Sequence, residues 1–555
     1  MPTGRRIWSV TTEHDPETLA VLREMAVKIA AAAPKDWRRA VLEGFADGTG
    51  SGHRGPVYEP RSLDSTGSSV DLHYEMCLVH ELERAADRLT IELVVHPTGK
   101  FEAVTSESLR RSPRAGRGGF TYLLRPDALP AEPAAFQPGP TRAVQAGDPQ
   151  EALQLLDRYL RRRAEIVGFQ EKLPQPLEAA EREFLEGHLP VPLPDDLRAL
   201  YGRADGDHRA GLLNGFHWLE LKGLAALSDK DRPENRSWIV RDWDRVLLRE
   251  VRYDTHPAGA VRRAQHLPGW IPFAHDTGGE FLAVDMDPGP NGHPGQVIRI
   301  GLHDHDGPVY VADSVTSLLR RDVEALENFS YQYKNGRLRL FHRDDATALD
   351  RELRIGGDSA PLREIHPGIQ RLVVANSHLV DLAPVRNAPS LWEVELANCP
   401  TADLSPLRAA PVEVLTADLN RIDLAPLAEH PTLRLLKLAT GEPVDLAPLR
   451  TCPRLYGLDL AAAEVCDIAV LGDLDGLLYL NLSAAQWEEL WAATAHPVGL
   501  AAAELDGAPT LRKAAEWAGT LADDSPDVRY TRGRFTPPKG SRTPLWRRMK
   551  MPWEV

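Results

Sequence analysis

A chain of 555 residues is too long for one hydrophobic core and calls for roughly three or four domains. Its 43% hydrophobic and 26% charged residues are ordinary for a globular protein, and no apolar run approaches the ~18 residues that would span a bilayer, so no membrane partner is expected. The net charge of -15 argues against a nucleic-acid partner, because a polyanion is repelled at long range.

The start, MPTGRRIWSVTTEHDPETL, has a positive pair but no apolar core, and is not expected to be a secretory signal. Cys77, Cys399, Cys452 and Cys466 form no C-x-x-C pair and fit thiols in a reducing cytoplasm. Leu19, Leu22, Met25 and Ile29 recur at helical spacing behind Asp15, a plausible N-cap. The runs SSVDLHYEMCLV, RLTIELVVH and GKFEAVTSE then read as antiparallel strands, with HPTG as a turn. A helix before a meander predicts a small α+β domain over 1–129. This pattern, with Trp37 after the helix, resembles the YezG-type immunity family. Residues 130–164 are read as a linker rich in Pro and Ala (PAEPAAFQPGP) followed by a helix.

Residues 165–330 carry 18 Lys and Arg against 28 Asp and Glu, a net of -10. Pro194 precedes Asp195 and Asp196 at the start of a short helix, where acid complements the helix dipole, and the turn at Asp205-Gly206-Asp207 ends it. Trp270 to Phe273, Phe281 to Val284 and Gln296 to Ile300 read as strands. Gly278-Gly279 suits a hairpin, and Asp313 or Ser314 caps a closing helix. Trp218, Trp270 and Phe273 are sized to fill a sheet–helix core. The segments LPDDLRALY (193–201), DGD (205–207), GFHWLEL (215–221), WIPFAHDTGGEFLAVD (270–285) and VADSVTSLL (311–319) together resemble the SUKH superfamily, of the Smi/Knr type. That resemblance implies an α+β domain with a binding role and no catalysis.

The stretch GLHDHDGPVY sets His303, Asp304, His305 and Asp306 side by side. All are metal-ligand types, and with His275 and Asp276 they define the alternative reading, a metal-dependent hydrolase. Adjacent side chains in an extended loop diverge, so the turn between two strands is preferred, as part of an acidic partner-binding rim. Asp205, Asp207, Asp276, Glu280, Asp304 and Asp306 are the rim candidates. Asp285-Met-Asp287 begins like a calcium loop, but Pro290 and Gln296 stand where glycine and glutamate are needed.

Asn335-Gly336 between alternating apolar residues predicts a two-residue hairpin, placed with a repeat N-cap over 331–366. From 367 to 483 Asp-Leu-x-Pro-Leu-like motifs recur at Asp381, Asp403, Asp423, Asp445 and Asp467, each after an L-x-x-L-x-L run except for a shortened unit at 411–417. The spacing resembles the short class of leucine-rich repeat. That class implies one parallel strand per unit, with Cys399 a buried spacer. The strand-face candidates for a protein partner are Trp392, Glu395, Lys437, Tyr456 and Asp459. A helical C-cap over 484–528 and a basic, flexible tail over 529–555 complete the chain.

The expected class is therefore a multidomain α+β protein: an N-terminal α+β domain, a SUKH-like domain and a C-terminal repeat solenoid. No G-x-S-x-G, P-loop or H-E-x-x-H motif occurs, and no cofactor is expected. The expected function is non-enzymatic binding of a protein, such as a basic polymorphic toxin domain, by an immunity or regulatory protein. The sequence leaves the oligomeric state open.

Overall fold

The computed structural model describes all residues except 1–12, 49, 54, 61–69, 114–117, 143, 229–242, 302–303, 305, 343–350, 358–361, 363, 379, 494–498, 508–509, 522–526 and 538–555. The chain divides into two compact units: 1–128 with 459–462 and 471–555, and 129–458 with 463–470. Both combine helices with sheets.

In the first unit Asp15 caps helix Pro16–Ala32, accepting from the N–H groups of Glu17 and Thr18 at 2.9 and 2.8 Å. Leu22, Met25 and Ile29 are buried on one face of that helix. Strands Gly50–His53, Arg39–Asp47, Leu89–Val95, Lys100–Ser106 and Val528–Arg534 lie side by side in that order, and all the pairs are antiparallel. The run SSVDLHYEMCLV is not a strand as expected. Its second half is in helix His73–Glu83. The alternation of Val70, Leu72, Tyr74 and Met76 imitates a strand, but the buried positions are Glu75, Met76, Val79 and Glu83, spaced by helical turns.

The start of the expected flexible tail is also ordered. Val528–Arg534 pairs along its whole length with Lys100–Ser106, and Phe535 is buried in the same core as Phe101. Edge pairing and one aromatic anchor outweigh its basic composition. The expected helical cap over 484–528 holds two helices, Ala484–Ala493 and Leu511–Ala518, with strand Ala502–Asp506 between them. That strand runs parallel to Tyr479–Leu482 and antiparallel to Gly119–Leu123.

In the second unit five antiparallel strands stand in the order Val309–Ala312, Gln296–Gly301, Glu280–Asp285, Trp270–His275, His217–Trp218. Alternate side chains face opposite sides. Ile271, Phe273, Leu282, Val284 and Val297 pack with Trp218 against residues of helices Pro149–Val167, Asp195–Arg203 and Val315–Glu327. Trp270 does not join this core. With Ala283, Ile298 and Ile300 it faces the other side, against Ala260, Val261, Ala264 and Ala134. The Pro/Ala-rich segment expected as a linker is therefore packed at that point. It contains a short 3₁₀ turn, Pro133–Phe136, and the Thr141 hydroxyl donates to the Pro290 carbonyl at 2.7 Å.

Asp196 ties helix Asp195–Arg203 to helix Val315–Glu327. Its carboxylate is buried and accepts from the Thr316 N–H at 2.9 Å and the Thr316 hydroxyl at 3.0 Å. Ser314, not Asp313, caps helix Val315–Glu327, through the Ser317 N–H. The hairpin Tyr331–Lys334/Arg337–Leu340 turns at Asn335 and Gly336, both with positive φ, as a two-residue turn of this hand requires. Leu340 is buried, and Tyr331 and Leu338 pack beside it, in the core of the five-stranded sheet.

Strands Glu352–Gly356, Arg371–Ala375, Glu393–Cys399, Val414–Leu419 and Leu435–Thr440 form a parallel ladder in chain order. Its register aligns Val373, Glu395, Thr416 and Lys437, which settles the shortened unit. Each Asp-Leu-x-Pro motif closes a turn. Asp381, Asp403, Asp423 and Asp445 each accept, at 2.9 Å, from the N–H two residues on. The proline then starts a 3₁₀ segment, and Val385, Leu407, Leu427 and Leu449 fill the interior.

Two tests follow from the first unit. Truncation before Val528 should lower the melting temperature by several degrees and admit protease near 100–106, whereas a flexible tail would be lost without effect. Glu92 is buried, accepts from the Leu511 N–H at 2.9 Å, and has its carboxyl pushed by burial from 4.5 to about 7. Between those values the folded chain keeps a proton that the unfolded chain releases, so stability falls as pH rises through that window. Glu92→Gln should abolish that fall, so its melting temperature relative to the parent should rise between about pH 5 and about pH 8.

Candidate partner-binding site

The beginning of each ladder strand is preceded by one residue in a hydrogen-bonded column. The N–H groups of Trp392, Glu413, Arg434 and Tyr456 donate to the carbonyls of Gln370, Trp392, Glu413 and Arg434 respectively, at 2.7 to 2.9 Å. These side chains form a stripe of mixed polarity, as expected of a binding face, but the chain itself covers it. The segment 249–263, which holds no helix or strand, lies on the stripe.

Arg263 and Glu413 are each only 3% exposed. The Arg263 guanidinium meets the Glu413 carboxylate at 2.5 and 3.3 Å, donates to the Arg252 carbonyl at 3.1 Å, and stacks 3.7 Å from the Trp392 ring centre. Arg434, also buried, lies 3.6 Å from Glu413 and donates to the Ala131 carbonyl at 2.8 Å. The Gln370 amide and the Asp254 backbone exchange two hydrogen bonds, at 2.6 and 3.1 Å. The Tyr253 hydroxyl donates to Glu393 at 2.5 Å, and Lys437 pairs with Glu250. Arg454 stacks 4.0 Å from the Phe136 ring centre. Burial raises the carboxyls of Asp254 and Glu393, and for Glu393 the Tyr253 hydroxyl and Arg371 oppose that shift.

Of the strand-face candidates, Trp392 and Lys437 are half-buried against Arg263 and Glu250 of the same chain. Tyr456 is buried, with the Arg434 guanidinium 5.3 Å from its ring centre. Glu395 is bound by Arg371 at 2.7 Å, which also reaches Glu352 and Glu393. Asp459, in the first unit, accepts from the Asn481 amide at 2.9 Å. The physical reason is complementarity: an acid-and-aromatic stripe is as good a seat for the chain's own arginines as for a partner's. Arg263 escaped notice because it lies in an irregular stretch, AVRRAQ, with no periodicity to say which way it faces.

The rim candidates divide. Asp207 is buried and accepts from the N–H groups of Arg209 and Leu212 at 3.0 and 2.9 Å, so it holds its own loop. Between it and Asp205, Gly206 has φ +80°, and a Cβ there would lie 2.8 Å from the Trp218 carbonyl oxygen. Asp205 accepts from the Leu221 N–H at 2.8 Å and its carboxyl is raised by burial. Asp276 accepts from the N–H groups of Gly278 and Glu280 at 2.7 and 2.8 Å, closing the hairpin turn. Asp304 is clamped by Arg299 at 2.9 and 3.0 Å. Asp306 is exposed, with Arg249 at 3.7 Å, and partly exposed Glu280 lies one strand away. Asp306 is thus the candidate a partner can reach most directly.

His303 and His305 lie outside the described residues. Among the described residues no group of three or more His, Cys, Asp or Glu is arranged to hold a metal ion. His275 hydrogen-bonds the Asp276 carbonyl at 2.6 Å and its ring lies 5.4 Å from that of His217. Asp285 is buried and bound by the Gln296 amide at 2.8 Å, so it is spent on the core.

Residues 176–321 match the SMI1/KNR4 family, SUKH-1. They form a SUKH-1 domain. A glucan synthesis regulatory protein of Neurospora crassa is 33% identical over 178 residues, covering 26% of this chain and 32% of its own length. The cell wall biosynthesis/cell cycle regulator smi1 of Schizosaccharomyces pombe is 34% identical over 155 residues, 27% of this chain and 31% of its own. The chain thus matches about a third of the length of these relatives. An internalin of Listeria monocytogenes aligns over 22% of this chain and 39% of its own at 22% identity, with a TM-score of 0.20. The segment 249–263 that covers the stripe lies within the SUKH-1 match.

Arg263→Ala should strip Glu413 of one of its two arginine partners at a cost of about 3–5 kcal/mol, the scale for breaking a buried ion pair. Chemical denaturation should show it, with faster hydrogen exchange across 249–263. Arg263→Met with Glu413→Leu should recover most of that loss. Equal exchange in parent and single variant would refute the seal.

Proposed function

We propose that this protein is a non-enzymatic binding protein of the toxin-immunity or regulatory kind, in which a SUKH-1 domain and a short-class leucine-rich repeat array act as one body. The observation that carries this reading is the SUKH-1 match over 176–321 together with the buried contacts that join that domain to the repeats. The named relatives are regulators, which supports a regulatory role here. The regular Asx turns and 3₁₀ segments of the ladder support the repeat assignment.

The partner in this reading is a basic protein, such as a toxin domain, met by the acidic side of the SUKH-1 domain around Glu280 and Asp306. Its neutralisation is steric, by occupation of the partner's surface. The repeats set the position of that surface and do not present a free concave face of their own. The cytoplasm is the proposed compartment, in keeping with four cysteines that form no disulfide.

Affinity capture with the full-length protein should retain a basic partner from the native cell, and Glu280→Lys with Asp306→Lys should release it while the melting temperature holds. Retention by the charge-reversed variant would overturn the acidic surface. Stoichiometric zinc or manganese in the purified protein, lost on His303→Ala with His305→Ala, would overturn the binding reading in favour of a hydrolase.

A further inference from the structure

The second unit is acidic in sum but contains one strongly basic concavity. Its volume is about 1400 Å³, larger than the ~300–1,000 Å³ usual for a small-molecule site. One wall is the loop 209–217, and another is the hairpin 331–340. Arg209, Lys334, Arg337, Arg339 and Arg351 line it, and none has an ion pair with a described residue. The other charged lining groups are largely committed. Arg163 pairs with Glu171 at 2.6 Å, Arg299 with Asp304, and buried Asp322 with His342 at 2.9 Å. Asp276 is held by its own turn.

The hairpin register makes the basic face an unfavourable choice for folding alone. Lys334 stands directly opposite Arg337, and Arg339 opposite Gln332, so three cations share one face of a two-stranded ribbon. Like charges opposite each other destabilise a strand pair. The opposite face, Tyr331, Leu338 and Leu340, already anchors the hairpin in the core. Arg339 lies 5.5 Å from the Phe341 ring centre, but among the described residues no acid offsets the row of like charge, which points to a ligand of opposite charge.

The backbone says what shape of ligand. The outward N–H and C=O of Leu340 are met by the Asn214 side chain, at 2.8 and 3.3 Å, as a neighbouring strand would meet them. One residue pair along, the outer edge at Leu338 has no backbone partner among the described residues. An extended peptide can pair with such an edge, and its side chains then reach the cations. A nucleic acid has no strand edge to offer, and its continuous charge is repelled by a chain of net charge -15.

We propose that the groove between loop 209–217 and hairpin 331–340 docks an extended acidic segment of a partner protein. This is a second surface, opposite in charge to the Glu280 and Asp306 side, and it does not rest on the immunity reading.

The probe is a fluorescent glutamate-rich peptide of about eight residues, ~27 Å when extended, titrated with the full-length protein and followed by anisotropy. The peptide should bind, weaken as salt is raised, and lose ~10-fold or more in affinity on Lys334→Glu with Arg337→Glu. Lys334→Arg should retain binding. Should the charge-reversed hairpin melt early, Arg209→Gln with Arg339→Gln supplies the same test without new acid. No binding by the parent, equal binding by the charge-changed proteins, or tighter binding of an oligothymidylate of equal charge would each overturn the proposal. Loss of peptide binding leaves capture of a basic partner unaffected, so the two readings fail separately.

Discussion

The second unit depends on one buried ion pair. Arg263 and Glu413 are removed from water together, and the cost of that removal is offset by the groups packed around them. The Arg252 carbonyl accepts one guanidinium N–H, the guanidinium plane stacks on the Trp392 ring, and Arg434 stands 3.6 Å from the carboxylate. Such a network tolerates little displacement. It therefore specifies where the SUKH-1 domain sits on the ladder rather than merely holding it there, and the Gln370–Asp254 exchange fixes the same alignment by a neutral route.

This arrangement divides the labour of the charged residues. The acids of the ladder are largely turned inward, toward arginines of the same chain. The acids of the SUKH-1 domain are partly consumed by turns, as at Asp207 and Asp276, and partly left at the surface, as at Asp306. The free cations gather elsewhere, on the hairpin and the loop that faces it. A net charge conceals this separation. Summed over residues 165–328 the sign is negative, yet a concavity of about 1400 Å³ in the second unit is lined by arginine and lysine.

Features governed by local chemistry could be read from the sequence. Asp15 and Ser314 as caps, Asn335-Gly336 as a turn and the Asp-Leu-x-Pro period all act within a few residues of themselves. The SUKH-like segments were legible for a different reason, as five motifs in fixed order. What could not be read was the meeting of distant residues. Helix His73–Glu83 was hidden by an alternation that only its packing overrules, and strand Val528–Arg534 by a basic composition that only its neighbour Lys100–Ser106 explains. The candidate site failed in the same way. Glu395 and Lys437 lie on ladder strands, but nothing near them in sequence announces that residues 249–263 pack along the adjoining stripe.

The column from Gln370 to Tyr456 takes one residue from each repeat, and successive members stand one strand spacing, ~4.8 Å, apart. Repeat arrays of this kind ordinarily lengthen or shorten by whole units, since each Asx turn closes without help from the next. Here that freedom is lost over the covered stretch. A unit inserted between Trp392 and Glu413 would carry the aromatic seat and the carboxylate two rows apart instead of one, and no single arginine could span both. The SUKH-1 domain thus acts as a ruler laid along the repeats, and a whole unit could be added without parting these contacts only in rows it does not touch.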